Sequence, residues 1–238
     1  MARSAELLAR LAEDPRRAAI FLDVDGVLAP IVPRPEDARV PDETRAELRR
    51  LAASYALVAC VSGRAGNDAR AIVGVQELTY VGNHGLELEP DAGEWVERLD
   101  AFLATVTWPR VENKGLTAAL HYRGLDEAAA RRDLDAIAER AHADGFVARY
   151  GRMVLEIVPK LEANKGTAVR RLLDERNLER ALYAGDDTTD LDAFATVARL
   201  ELGIRVAVVS AEGPPDLKEQ ADIVLDRQSE ILGLLRAL

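Results

Sequence analysis

The chain is poor in the residues that build soft metal sites and covalent staples: its 238 residues include one cysteine, three histidines and two methionines. A lone Cys60 cannot form an internal disulfide. Lying in the apolar run 56–61, it suits a core position and the reducing conditions of a cytoplasm. So little Cys and His argues against a zinc centre and leaves oxygen ligands with a hard cation such as Mg²⁺. Positive charge is also short, with 31 Lys and Arg against 41 Asp and Glu and a net charge of −10. Affinity for nucleic acid rests on neutralising phosphates with cations, so no nucleic-acid partner is expected. A small anionic substrate received by local cations stays open. No run reaches about 18 consecutive apolar residues, so no membrane span is expected. The first 17 residues carry Arg and Glu without the apolar segment of a secretory signal. There is no internal repeat or low-complexity tract. The expectation is a soluble cytoplasmic protein acting as a monomer.

What the chain does have is a core, with 48% apolar residues and enough length for one large domain or two small ones. An apolar run, 18–22, ends in Asp23-Val24-Asp25-Gly26. Side chains alternate along an extended backbone, so the two carboxylates are expected on one side at the end of a strand. Like charges that close repel, unless a cation sits between them or one is ionised and the other carries a proton. Ligands bind at the carboxyl ends of strands in open parallel sheets, which favours chemistry at this position.

The surrounding pattern alternates strand and helix. Pro41-Asp42-Glu43 opens a helix carrying Leu48 and Leu51, strand 56–61 ends in Ser62-Gly63-Arg64, and a strand near 78–81 ends in Gly82-Asn83-His84-Gly85. From Trp95 the rhythm changes to an amphipathic helix, a strand 116–123, an Ala-rich helix 126–142 and a hairpin 146–158. The alternation then resumes with a helix from Lys165, strand 181–184, a helix opened by Gly185-Asp186-Asp187-Thr188-Thr189-Asp190, and strands 206–209 and 223–225. This predicts an α/β fold, a doubly wound parallel sheet with an inserted α+β cap. The expected boundaries are 1–104 and 163–238 for the core and 105–162 for the cap.

Each polar turn has an ordinary reading as a helix cap. For residues 185–190 that reading accounts for one acid, not three. Lys165 at a helix start opposes the helix dipole. Glu156, between Val154 and Val158 on one face of a strand, needs either a cationic partner or a polar ligand. His121 and Arg123 share a strand face, with Glu112 and Lys114 just before it. Such alternating acids and bases can bind sugar hydroxyls.

Taken together, Asp23-Val24-Asp25-Gly26, Ser62, Lys165 and the 185–190 segment resemble, in order, the four motifs of the haloacid dehalogenase superfamily of phosphohydrolases. The resemblance implies Asp23 as nucleophile, Asp25 as general acid and base, Ser62 donating to the phosphoryl group and Lys165 neutralising charge. It also implies Mg²⁺ held by Asp23, the backbone carbonyl of Asp25 and Asp186, with Asp187 and Asp190 in or just outside that shell. A narrower resemblance, carried by 21–32, 82–87, 111–123, 151–159 and 164–166, is to the trehalose-6-phosphate phosphatase family. It implies a sugar-phosphate substrate contacted by Gly63, Arg64, Asn83, His84 and Glu87. From the cap it adds Glu112, Lys114, Arg123, Arg152 and Glu156. Val27 replaces the usual Thr, and Val154 stands where some members carry a polar contact. The alternatives are a phosphatase of another sugar phosphate or glycosylglycerate phosphate, a phosphotransferase or mutase, and a non-catalytic sugar-phosphate sensor.

Overall fold

The structure, a computed structural model, describes residues 2–32, 34–151, 153–210 and 213–238. The chain begins with α1 (Ala2–Ala12), β1 (Ala19–Leu22), α2 (Asp42–Ser54), β2 (Leu57–Val61), α3 (Gly66–Val73) and β3 (Thr79–Val81). A second group follows: α4 (Ala92–Leu103), β4 (Val111–Asn113), β5 (Ala118–His121), α5 (Glu127–Ala143), β6 (Phe146–Gly151) and β7 (Val154–Pro159). The chain then runs through α6 (Lys165–Asp174), β8 (Arg180–Gly185), α7 (Leu191–Val197), β9 (Leu202–Val208), α8 (Pro215–Gln220), β10 (Ile223–Leu225) and α9 (Ile231–Arg236). Among the described residues no helix is long and apolar enough to cross a membrane.

Two compact units result, one comprising Met1–Gly85 with Ala163–Leu238 and the other Leu86–Glu162. In the first, β10-β9-β8-β1-β2-β3 form a sheet in which every pairing is parallel. β1 sits where the strand order reverses, between β8 and β2, which is the position at which open α/β sheets bind ligands. Its four residues are all buried because both faces are covered. Ile20 and Leu22 enter a cluster with Leu48 and Leu51 of α2 and Leu234 and Leu235 of α9. On β8, whose Leu182 and Ala184 join that cluster, Tyr183 alternates to the other face and meets Phe194 of α7 edge-on at 6.1 Å.

The second unit is an antiparallel sheet, β4-β5-β7-β6. One face, with Ala118, Leu120, Leu155 and Ile157, packs on Leu99 and Phe102 of α4 and on Leu134 and Ile137 of α5. The sequence reading keeps residues up to 104 with the core, whereas α4 falls inside this unit. Its Trp95 stacks edge-on against Phe146 at 5.3 Å, a long-range contact that helical periodicity does not reveal.

Candidate active site

Pairing along β1 ends at Leu22, opposite Cys60 and Ala184. The chain then turns, with Val24 O accepting from the N–H groups of Leu28 (3.0 Å) and Ala29 (2.8 Å). Strand alternation therefore does not extend to Asp25, and the two carboxylates take different partners. Asp23 turns inward and is 6% exposed. Its Oδ1 accepts from Val24 N–H at 2.7 Å, and its Oδ2 lies 2.9 Å from Lys165 Nζ. Asp25 goes to Arg64, with Nε 2.6 Å from Oδ2 and Nη2 2.8 Å from Oδ1. Gly26, at φ +79°, lets the turn pass under Asp186. A β-carbon there would lie 2.0 Å from Asp186 Oδ2.

Lys165 opens α6 behind a capping box in which Asn164 Oδ1 accepts from Thr167 N–H at 2.9 Å and Thr167 Oγ1 from Asn164 N–H at 3.0 Å. The lysine opposes the helix dipole because its ammonium is spent elsewhere, buried between Asp23 and Asp190 (2.7 Å). Asp190, fully buried, accepts four hydrogen bonds. Its Oδ1 takes them from Lys165 Nζ and Tyr183 Oη, both at 2.7 Å, and its Oδ2 from Asp186 and Asp187 N–H, both at 2.9 Å. Asp187 is exposed, and its carboxylate caps Thr188 N–H at 2.6 Å.

The second and third strands converge on the same edge. Ser62 is buried, and its Oγ accepts from Arg64 N–H at 3.2 Å. Arg64 O accepts from Asn83 N–H at 2.8 Å, and Ser62 O from His84 N–H at 2.9 Å. Asn83 (φ 50°) and His84 (φ 56°) are both left-handed, an uncommon conformation for which Asn and His are enriched. The His84 ring covers Gly63, where a β-carbon would lie 2.6 Å from Cε1. The first unit thus gathers Asp23, Asp25, Ser62, Gly63, Arg64, Asn83, His84, Lys165, Asp186 and Asp190.

Burial decides the electrostatics. It pushes Asp23 up to about 7 despite Lys165 beside it. Burial, with Asp23 and Asp190 adding repulsion, pushes Asp186 up to about 8. Burial alone would lower Lys165, but Asp23 and Asp190 outweigh it and hold the ammonium above its usual value. One oxygen from each of Asp23, Asp186 and Asp190 can be chosen so that all lie within 4.8 Å of one another. Three buried carboxylates around a single ammonium, with hard oxygen donors only, fit a divalent cation.

The raised carboxylates make stability depend on pH and metal. From the ordinary 3.8 up to about 8, the folded chain holds more protons at Asp186 than the unfolded chain does. This contribution to stability is therefore complete below the lower value and lost as pH rises through the upper one. A cation that binds only the folded state offsets the loss. In thermal unfolding, the Tm difference between protein with a divalent cation and protein in chelator is expected to widen from about pH 5 to about pH 8. A Tm indifferent to metal at the higher pH contradicts the site.

In the second unit, Glu112, Ala119, Glu156 and Arg149 form one cross-strand row. Glu156 accepts from Arg149 Nε at 2.8 Å, so of the two expectations for this residue the structure supplies the cation. His121 Nε2 lies 2.9 Å from Glu112 Oε2, and Lys114 Nζ lies 4.0 Å from Glu112 Oε1. Arg123 is exposed just past β5, and Glu87 is half-buried. Arg152 lies outside the described residues. Sequence reasoning missed Tyr183 and Arg149. A phenol in a wholly buried strand needs a partner, and counting back from the Gly151 turn pairs Arg149 with Glu156, so both left a signal.

A family model described as Trehalose-phosphatase matches residues 21–229. The chain is 30% identical over 223 residues to the "probable trehalose-phosphate phosphatase 4" of Oryza sativa subsp. japonica, covering 81% of this chain and 59% of that protein. It is 31% identical over 242 residues to the "probable trehalose-phosphate phosphatase G" of Arabidopsis thaliana, covering 82% and 62%. The chain thus spans about three fifths of the length of these relatives. A crystal structure described as a trehalose-6-phosphate phosphatase related protein superposes with a TM-score of 0.72 at 23% identity, over 92% of this chain and 95% of that one. That likeness shows the fold.

Proposed function

The chain belongs to the trehalose-phosphatase family, and from that premise we propose that it hydrolyses trehalose 6-phosphate to trehalose and inorganic phosphate. The observation that carries this reading is the buried Asp23, held by Lys165 within 2.9 Å beside Asp186 at the carboxyl edge of the sheet. Asp23, the Asp25 carbonyl and Asp186 would hold Mg²⁺, which when bound would supply positive charge to the phosphoryl oxygens. Asp190 has both oxygens occupied by hydrogen bonds and orients Lys165 and the 186–187 backbone. Asp187, spent on Thr188, stays outside the metal shell.

Asp23 attacks phosphorus while the bond to the sugar oxygen breaks, and Asp25 gives that oxygen its proton. Water then attacks the aspartyl-phosphate and leaves a proton on Asp25, while the bond from phosphorus to Asp23 breaks and phosphate departs. Ser62 Oγ accepts from Arg64 N–H, which leaves its own proton to donate to a phosphoryl oxygen. Lys165 neutralises charge on the nucleophile and the phosphoryl group. Sugar selectivity rests on Asn83, His84 and Glu87 and on the cap residues Glu112, Lys114, Arg123, Arg152 and Glu156. Glu112 and the Arg149–Glu156 ion pair, in one cross-strand row of the second unit's sheet, support a polar contact surface there. A cytoplasmic setting, in keeping with the lone free Cys60, and a monomer belong to the same proposal.

A panel of phosphate esters with Mg²⁺ present tests the substrate. Trehalose 6-phosphate is expected to exceed glucose 6-phosphate in kcat/KM by roughly 100-fold or more, within the roughly 10⁴- to 10⁵-fold that hydrogen-bonding sites reach. Equal values overturn the assignment. Transfer of the phosphoryl group to a sugar instead of its release overturns the hydrolytic reading.

A further inference from the structure

Arg64 holds Asp25 by a two-pronged contact, its Nε and Nη2 each on a different carboxylate oxygen at 2.6 and 2.8 Å. The loop that carries the arginine is itself fixed. Arg64 N–H is tied to Ser62 Oγ and Arg64 O to Asn83 N–H, while the His84 ring lies over Gly63. Asp25, by contrast, stands on an irregular turn with a side chain 38% exposed, and the two hydrogen bonds on its carboxylate come from Arg64. A planar guanidinium fork matches the plane of a carboxylate and fixes its direction in a way that a point charge does not. We propose that Arg64 is a positioning residue for proton transfer, setting the plane and aim of the Asp25 carboxyl group, and is not a contact for the substrate phosphate. This rests on the reading of Asp25 as the group that protonates the leaving oxygen.

Asp23 Oδ forms a bond to phosphorus, the bond from phosphorus to the ester oxygen breaks, and the electron pair left on that oxygen takes the Asp25 proton. An alkoxide leaving group depends on that proton. A p-nitrophenolate leaves without it. Arg64 acts through Asp25, so its loss falls unequally on the two kinds of ester.

The test compares kcat/KM of wild type, Arg64→Gln and Arg64→Lys on trehalose 6-phosphate and on p-nitrophenyl phosphate, with Mg²⁺ present. Both variants are expected to lose at least about ten times more on the sugar ester than on the aryl ester, within the roughly 10²- to 10⁴-fold range of acid–base catalysis. Lysine, which keeps the charge but lacks the fork, is not expected to restore the sugar reaction. Equal losses on both esters, from a lost phosphate contact or a disturbed fold, overturn the inference, as does full rescue by lysine. A wild type that releases phosphate from neither ester overturns the phosphatase reading and this inference with it.

Discussion

Substitution of Asp23 by Asn is expected to lower phosphate release by at least about 10⁴-fold while leaving the protein folded, the scale of loss when a covalent nucleophile is removed from a concerted set. Asn keeps the volume and an oxygen that can accept from Val24 N–H, where Asp23 Oδ1 now accepts at 2.7 Å. It lacks a carboxylate to form the bond to phosphorus. The stability effect has its own sign. Burial lifts Asp23 to about 7, so the ionised form is less at home in the fold than a neutral one, and Asn imitates the neutral group. Lys165 keeps Asp190 at 2.7 Å. In chelator at about pH 8, the Tm of Asp23→Asn should therefore equal or exceed that of wild type. Activity within 100-fold of wild type would sink the mechanism.

Replacing Lys165 with Met is expected to harm both properties at once. The ammonium is buried between Asp23 Oδ2 and Asp190 Oδ1. Removing one partner of such a group leaves uncompensated charge inside the protein and costs about 3–5 kcal/mol. The loss should be largest at high pH, where the stranded carboxylates are ionised, and smaller as Asp23 takes up a proton. Turnover should fall by roughly 10²- to 10³-fold from loss of charge stabilisation at the phosphoryl group. Urea unfolding at about pH 5 and pH 8, alongside phosphate release, measures both effects. An unchanged unfolding midpoint at the higher pH contradicts the burial argument.

The residues at the centre of the site are legible in the sequence because each stands where an unmistakable apolar run stops. Asp23 follows β1, Ser62 follows β2 and Asp186 follows β8, and a strand end is set locally by composition. Lys165 stood out by its conflict with the helix dipole, which the buried pair resolves. Less visible were features fixed by tertiary contact. Arg64 and Asp25 are 39 residues apart, and the separate partners of Asp23 and Asp25 lie beside a turn that Val24 O closes. β4, Val-Glu-Asn with all three residues exposed, carries no alternation to detect. α1 hides its buried Leu8 and Leu11 among Arg and Glu. β9 begins at Leu202, four residues before the apolar run that suggested it, because register with Arg180 of β8 extends it through Gly203 and Arg205.

The central claim is that Asp23 becomes phosphorylated, and borohydride trapping during turnover tests it most directly. An aspartyl-phosphate, unlike a free carboxylate, is reduced by borohydride to homoserine. Peptide mass mapping should find homoserine at position 23 in protein quenched with substrate and Mg²⁺, and none in protein quenched without substrate. Rapid phosphate release with position 23 still aspartate, or with the reduced residue elsewhere in the chain, would contradict it.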